Sequence, residues 1–347
     1  MATNAIDWAA AVRTGQRLAP RGPQVSARQA RHAVADLRRF STVAEQRVRE
    51  TTGLGEGLPI ADAEVVDRRG WVAATADGMA TLTAPLTDRL PTPQGGAAVA
   101  GSQVGVLLGY LSGRVLGQYD PVGSSTGSGP GRLLLVAPNV IKVEREIAAD
   151  PADFRLWVCL HEGTHRLQFT AVPWLTGYFR SLVDSYAEVA PTDAADLLRR
   201  AVAAVRGRGG RGDSGDGESG NSWIQRIQTP QQRRVFDALM ALMTLLEGHA
   251  DYVMDAVGPQ VVPSVASIRS AFSVRRRKGR GPVDRLVRTL LGMDAKLAQY
   301  VRGAAFVRGA VGRVGMDGFN AVWSSRDALP TLPEIADPAA WVRRVHG

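Results

Sequence analysis

The sequence predicts a mainly α-helical chain with a small β-sheet. Three observations lead there. Most long segments carry apolar residues at three- and four-residue spacing between recognisable caps and stops. One run, Arg132-Leu-Leu-Leu-Val-Ala137, reads as a strand, and a second short β segment is in play at Val65-Val66. The composition, 45% hydrophobic and 22% charged over 347 residues, is that of a globular chain able to bury a large core.

Ile6 to about Arg17 has helical periodicity and ends before Pro20-Arg-Gly-Pro23. Ser26 then caps a longer helix that runs to about Thr52, with Ala30, Val34, Leu37, Val43 and Val48 as its buried stripe and Gly53 as its stop. Val65, Val66, Trp71 and Val72 mark a helix start or a turn of strand, with a helix from Trp71 to Leu82. Gly101, Gly105, Gly109, Gly113 and Gly117 keep a spacing of four, which on a helix makes a ridge for close approach by another helix. The expected neighbours are the metal-site helices described below. A phosphate loop is the alternative, but it lacks a preceding strand and a Gly-Lys-Ser/Thr ending.

Tyr119 to Gly131 is a loop, and the strand after it is stopped by Pro138-Asn139. Val140 to Ala149 forms a short helix, and Asp150 or Asp153 caps the next one. Helices follow at Trp174 to Val189, Ala194 to Val205 and Gln231 to Val257, the last ended by Gly258-Pro259, with a low-complexity loop at 206–222 between them. From Pro263 the chain is helical again, with solvated charge over Arg269 to Lys278. Helices at Leu286 to Leu291 and Ala295 to Val307 come next, and a tail through Leu329 and Trp341 packs back. This gives three regions, 1–130, 131–262 and 263–347, as parts of one compact unit or as separate lobes.

The chemistry centres on Asp153-Phe-Arg-Leu-Trp-Val-Cys-Leu-His161-Glu162-Gly-Thr-His165-Arg-Leu-Gln-Phe169. His161 and His165 are four apart, so on a helix their rings share a face and can hold one metal ion. Glu162 lies beside the metal, placed to take a proton from a metal-activated water. Leu156, Trp157 and Leu160 would bury the other side. A third ligand is needed, and Glu247 supplies it from a second apolar helix, with Asp251 one turn on to accept the outer N–H of a ligand imidazole. His249 is the rival ligand, but it sits about 200° around the helix from Glu247 unless Gly248 breaks the helix. Its other readings are a core histidine or a donor to a substrate oxyanion. Arg269, Tyr300 and Arg302 are further oxyanion-donor candidates.

These residues carry a resemblance. The His161 run with Pro173-Trp174-Leu175, together with Leu108 to Asp120, Pro138-Asn139, Glu247 to Asp251, Leu291 to Asp294 and Phe319 to Trp323, resembles an actinobacterial zincin-like metallopeptidase family. Its members carry hydrolase or deazaflavin-coenzyme-biosynthesis-associated labels. The Glu-x-x-x-Asp helix is similar to the second zinc helix of gluzincins. The expected reaction is hydrolysis of an amide bond in a peptide or protein. The resemblance implies a zincin-like fold and a zinc-dependent hydrolase, with Zn2+ on His161, His165 and Glu247 and Glu162 as base, and by analogy it makes Arg132 to Ala137 a candidate edge strand for extended substrate. It brings no known substrate. A zincin-fold binding or scaffold protein without turnover is the alternative.

Composition narrows the partners. The single cysteine, Cys159, leaves no internal disulfide and fits a reducing cytosol, so a cytoplasmic location is expected. No run approaches the roughly 18 apolar residues of a membrane span, and the N-terminus lacks a signal-peptide pattern. The net charge of +9 raises nucleic acid as a partner, but arginine is spread along the chain and no aromatics interleave the Arg275 to Arg280 cluster. Specific nucleic-acid binding is therefore not expected. Oligomeric state is not legible.

Overall fold

The computed structural model describes residues 5–87, 95–123, 131–189, 230–278 and 293–347. The helix expected at Ala194 to Val205, the 206–222 loop, and the helix at Leu286 to Leu291 lie outside these residues. Helix α1 (Trp8–Leu18) is capped by Asp7, whose side chain accepts from Ala10 N. Helix α2 (Ala27–Thr52) starts in a reciprocal capping box between Ser26 and Gln29 and stops where Gly53 takes a left-handed conformation at φ 70°. Strand β1 (Glu64–Val66) and helix α3 (Arg68–Thr87) resolve the Val65 to Val72 ambiguity, one element of each kind.

The glycine ridge is real but faces a different neighbour from the one expected. In helix α4 (Gly96–Ser112), a Cβ on Gly101 would strike the carbonyl oxygen of Asp7, and one on Gly105 would lie 2.5 Å from that of Ala11. The ridge therefore seats α1 on α4 rather than on the metal-site helices. Backbone meets backbone there, which only glycine permits.

Strand β2 (Gly117–Asp120) follows, then β3 (Arg132–Val136), in a three-stranded sheet of order β1-β3-β2. β1 and β3 are parallel, while β2 and β3 are antiparallel with Gly117 opposite Leu135. Arg132 to Val136 is thus the central strand, not the edge. Leu133, Leu134, Leu135 and Val136 are all buried, so both faces of β3 are covered, as a continuous apolar run requires. The edge belongs to β2. Pro138 does not end structure; it sits in the first turn of helix α5 (Ala137–Glu146), where no backbone N–H is needed. Buried Asn139 donates to Ser112 O and Val115 O and accepts from Arg68, which pins the start of α5 to the segment that delivers β2.

Helix α6 (Pro151–Ala171) is capped by Asp150, which accepts from Ala152 N and Asp153 N. Asp153 instead accepts from the backbone N and hydroxyl of Ser264, joining α6 to a distant turn. After α7 (Leu175–Val189), α8 (Pro230–Ala256) crosses α6, and α9 (Val265–Lys278) and α10 (Met293–Phe319) pack outside. Gly248 does not break α8. It lets α10 approach at Gly303, where an added Cβ would meet backbone atoms. The C-terminal helices α11 (Leu332–Ala336) and α12 (Pro338–His346) return to the body, and Trp341 is fully buried with its indole N–H on Ala328 O.

One large apolar cluster joins Leu37, Phe154, Leu160, Leu245, Phe306 and Trp341, residues drawn from all three sequence regions. Two buried charge groups brace α6. Arg155 reaches Glu144 and Asp36 at 2.7 and 2.8 Å, and Arg166 reaches Glu45 at 2.5 Å. Among the described residues, no helix is long and apolar enough to cross a membrane.

Candidate active site

His161 and His165 project from one face of α6, and α8 brings Glu247 over them. The His161 and His165 Nε2 atoms are 3.3 Å apart, and Glu247 Oε2 lies 3.5 and 3.6 Å from them. These lengths are close to the edge of a tetrahedron around an ion bonded at about 2.0–2.1 Å, which is roughly 3.3–3.4 Å. Glu247 Oε2 is buried and has no hydrogen-bond partner, so the inward oxygen is left for something else. Among the described residues this is the one group of three or more His, Cys, Asp or Glu side chains able to hold a metal ion. Two imidazoles and a carboxylate, converging with a fourth position open to a cleft, fit a catalytic divalent cation.

The outer nitrogens depart from the sequence reading. Asp251 does not orient an imidazole: Arg269 holds its carboxylate at 3.0 and 3.1 Å. Gln168, which the sequence reading passed over, takes that place. Its Oε1 is 2.9 Å from His165 Nδ1, and its Nε2 donates to Leu246 O at 2.9 Å. A carbonyl only accepts, so the amide orientation is settled, and His165 must present an Nδ1 proton to Oε1. Its Nε2 is then the atom able to take a metal ion. His161 Nδ1 faces the softer Met254 Sδ at 3.3 Å.

His249 is neither ligand nor oxyanion donor. It is fully buried, packed at a tilt against the Phe319 and Trp323 rings, and its Nδ1 lies 3.1 Å from Gln168 Nε2. Burial lowers its pKa to about 3, so it stays neutral and backs the Gln168 amide. This placement is that of a core histidine. Neither Arg269 nor Arg302 lines the cleft. Arg269 is held by Asp251 and Asp255, and the Tyr300 side chain lies outside the described residues.

Burial opposes charge on His165, yet Glu247, Glu162 and Gln168 outweigh it and raise its pKa to about 9. Burial likewise works against the Glu247 carboxylate, but the two imidazoles hold its pKa well below the ordinary value. A histidine raised in the folded state stabilises it fully below the unfolded value near 6.5, and that contribution is lost as pH rises through about 9. Metal-free protein should therefore lose melting temperature between about pH 6.5 and 9. A metal must displace this proton, so chelator competition should show affinity rising about tenfold per pH unit across the same window. A flat profile in both measurements would contradict the pairing.

Glu162 is 7% exposed and lines a cleft of about 620 Å³, with the two histidines and Glu247 on its floor. The edge strand β2 forms the facing wall. Gly117 sits so near that an added Cβ would lie 2.5 Å from Glu162 Cγ. The missing side chain makes room for the carboxylate.

A model of the family described as zincin-like metallopeptidase matches residues 6–342. No curated protein matches the chain. A solved structure titled "a putative hydrolase with a novel fold", from Chloroflexus aurantiacus, is 32% identical and superposes with a TM-score of 0.70 over 98% of each chain. With nearly its whole length matched and a His-Glu-x-x-His helix facing a glutamate helix, the chain belongs to the zincin-like metallopeptidase family.

Proposed function

We propose that the chain is a zinc-dependent hydrolase that cleaves an amide bond in a peptide. The observation that carries this reading is the near-equilateral triangle of His161 Nε2, His165 Nε2 and Glu247 Oε2 beside Glu162 in an open cleft. When bound there, zinc supplies Lewis acidity, lowering the pKa of water from about 15.7 towards 7 and polarising a carbonyl. The three ligands hold it, with Gln168 fixing the tautomer of His165. Glu162 takes a proton from the attacking water and returns it to the departing amine nitrogen, so the carboxylate ends each cycle as it began.

The outer edge of β2 supports the choice of a peptide. Its far side is paired to β3, and Gly117, Gln118 and Tyr119 line the cleft, where an extended substrate backbone can add as a further strand. A cytoplasmic location is part of the proposal, consistent with Cys159 as a buried free thiol whose pKa burial pushes up.

The test is hydrolysis of a peptide mixture by the zinc-loaded chain. Cleavage that stops with a chelator and returns with zinc is expected; cleavage indifferent to the chelator would reject the reading. Gly117→Ala should retain zinc but push Glu162 aside. A displacement of about 1 Å costs on the order of 100-fold in rate, measured as kcat/KM. An unchanged rate would show that Glu162 is not held by this contact.

A further inference from the structure

The sequence numbers along α6 mark out the floor of the cleft. Trp157, His161, His165 and Phe169 recur every four residues and all line it. At about 1.5 Å per residue the stripe is roughly 18 Å long, the span of about five residues of extended peptide. The metal ligands sit in its middle.

Each end of the stripe is an aromatic box. At one end Trp157 meets Phe272 edge-on at 5.2 Å, and Met254, whose Sδ faces His161 one turn along α6, also lines the cleft. At the other, Phe169 stacks on Tyr119 at 5.8 Å and meets Phe179 edge-on at 6.0 Å. The charged residues of the cleft apart from the metal ligands and Glu162 are engaged by neighbours. Arg114 lies over the Tyr110 ring at 3.5 Å and donates to Tyr110 O. Arg275 donates to Glu146 at 2.7 Å, and Arg269 holds Asp251. A charged substrate side chain entering either box would lose water to a wall of aromatic rings, whereas an apolar one gains by leaving water.

Resting on the hydrolase reading, we propose that the substrate is a peptide lying extended along α6, with bulky apolar side chains on both sides of the bond that is cut. One fills the Trp157–Phe272–Met254 box and the other the Tyr119–Phe169–Phe179 box. Hydrolysis adds one water across the amide, its hydroxyl to the carbonyl carbon and its proton to the leaving nitrogen.

The test incubates the zinc-loaded full chain with peptides from a digested proteome and reads the new termini by mass spectrometry, with Glu162→Gln as the blank. Leucine, methionine, phenylalanine and similar residues should be enriched on both sides of the cut. Phe272→Ala and Phe179→Ala should each lower kcat/KM about tenfold for bulky residues, on opposite sides of the bond. That side-specific split is one a general loss of folding would not produce. Cuts flanked by small or charged residues, or variants that slow every substrate alike, overturn the two-box assignment while leaving the hydrolase in place. No cleavage of any peptide by a chain carrying zinc removes the hydrolase reading and this inference together.

Discussion

Glu162→Gln should lower kcat by about 10²–10⁴-fold, the range for losing a positioned general base, while zinc stays bound. The substitution keeps the side chain's length and its place against Gly117, so the cleft keeps its shape. What it removes is the group that accepts the proton. Glu162 is not among the three converging ligand atoms, so zinc stoichiometry should match wild type. KM should move far less than kcat, because the lost interaction operates in the transition state. A variant of full activity would assign the base elsewhere; a variant without zinc would make Glu162 structural to the metal centre.

Glu247→Ala should have the larger effect on the metal. It removes one of the three proposed ligands and, among the described residues, the carboxylate that contacts both imidazoles, whose Nε2 atoms lie 3.3 Å apart. Affinity should fall by more than the 10–100-fold typical of losing an outer partner. The consequence extends to stability. Zinc at about 1,000 times its Kd stabilises the wild type by roughly 4 kcal/mol, which for a chain of this length raises Tm by about 6 °C. The variant should show no such rise. An equal zinc-dependent shift in both proteins would exclude Glu247 from the ligand set.

What could be read from sequence was what depends on local spacing. The His161–His165 pair needs only the helical repeat, and the Ser26 box and Gly53 stop are signals within four residues of a helix end. Glu247 stood out as the acid one turn before Asp251 on a second apolar helix, far along the chain from the histidines it meets. What was missed depends on partners far along the chain. Asp251 resembled an outer partner until Arg269, on another helix, claimed it. The glycine ridge declared a close approach but not that α1 would make it. Two misses had signals. Gln168 lies three residues after His165 on the same helix face, the spacing of a side-chain pair. The unbroken apolar run Leu133 to Val136 marks a strand covered on both faces, which an edge strand is not.

The most direct test of the account is the zinc content of the purified, zinc-supplemented chain, measured by mass spectrometry beside Glu247→Ala at the same concentration. The account predicts about one zinc per wild-type chain and essentially none in the variant. A folded wild-type chain that takes up no zinc would contradict it, leaving the triangle of His161, His165 and Glu247 as an ion-paired cluster and not a metal centre.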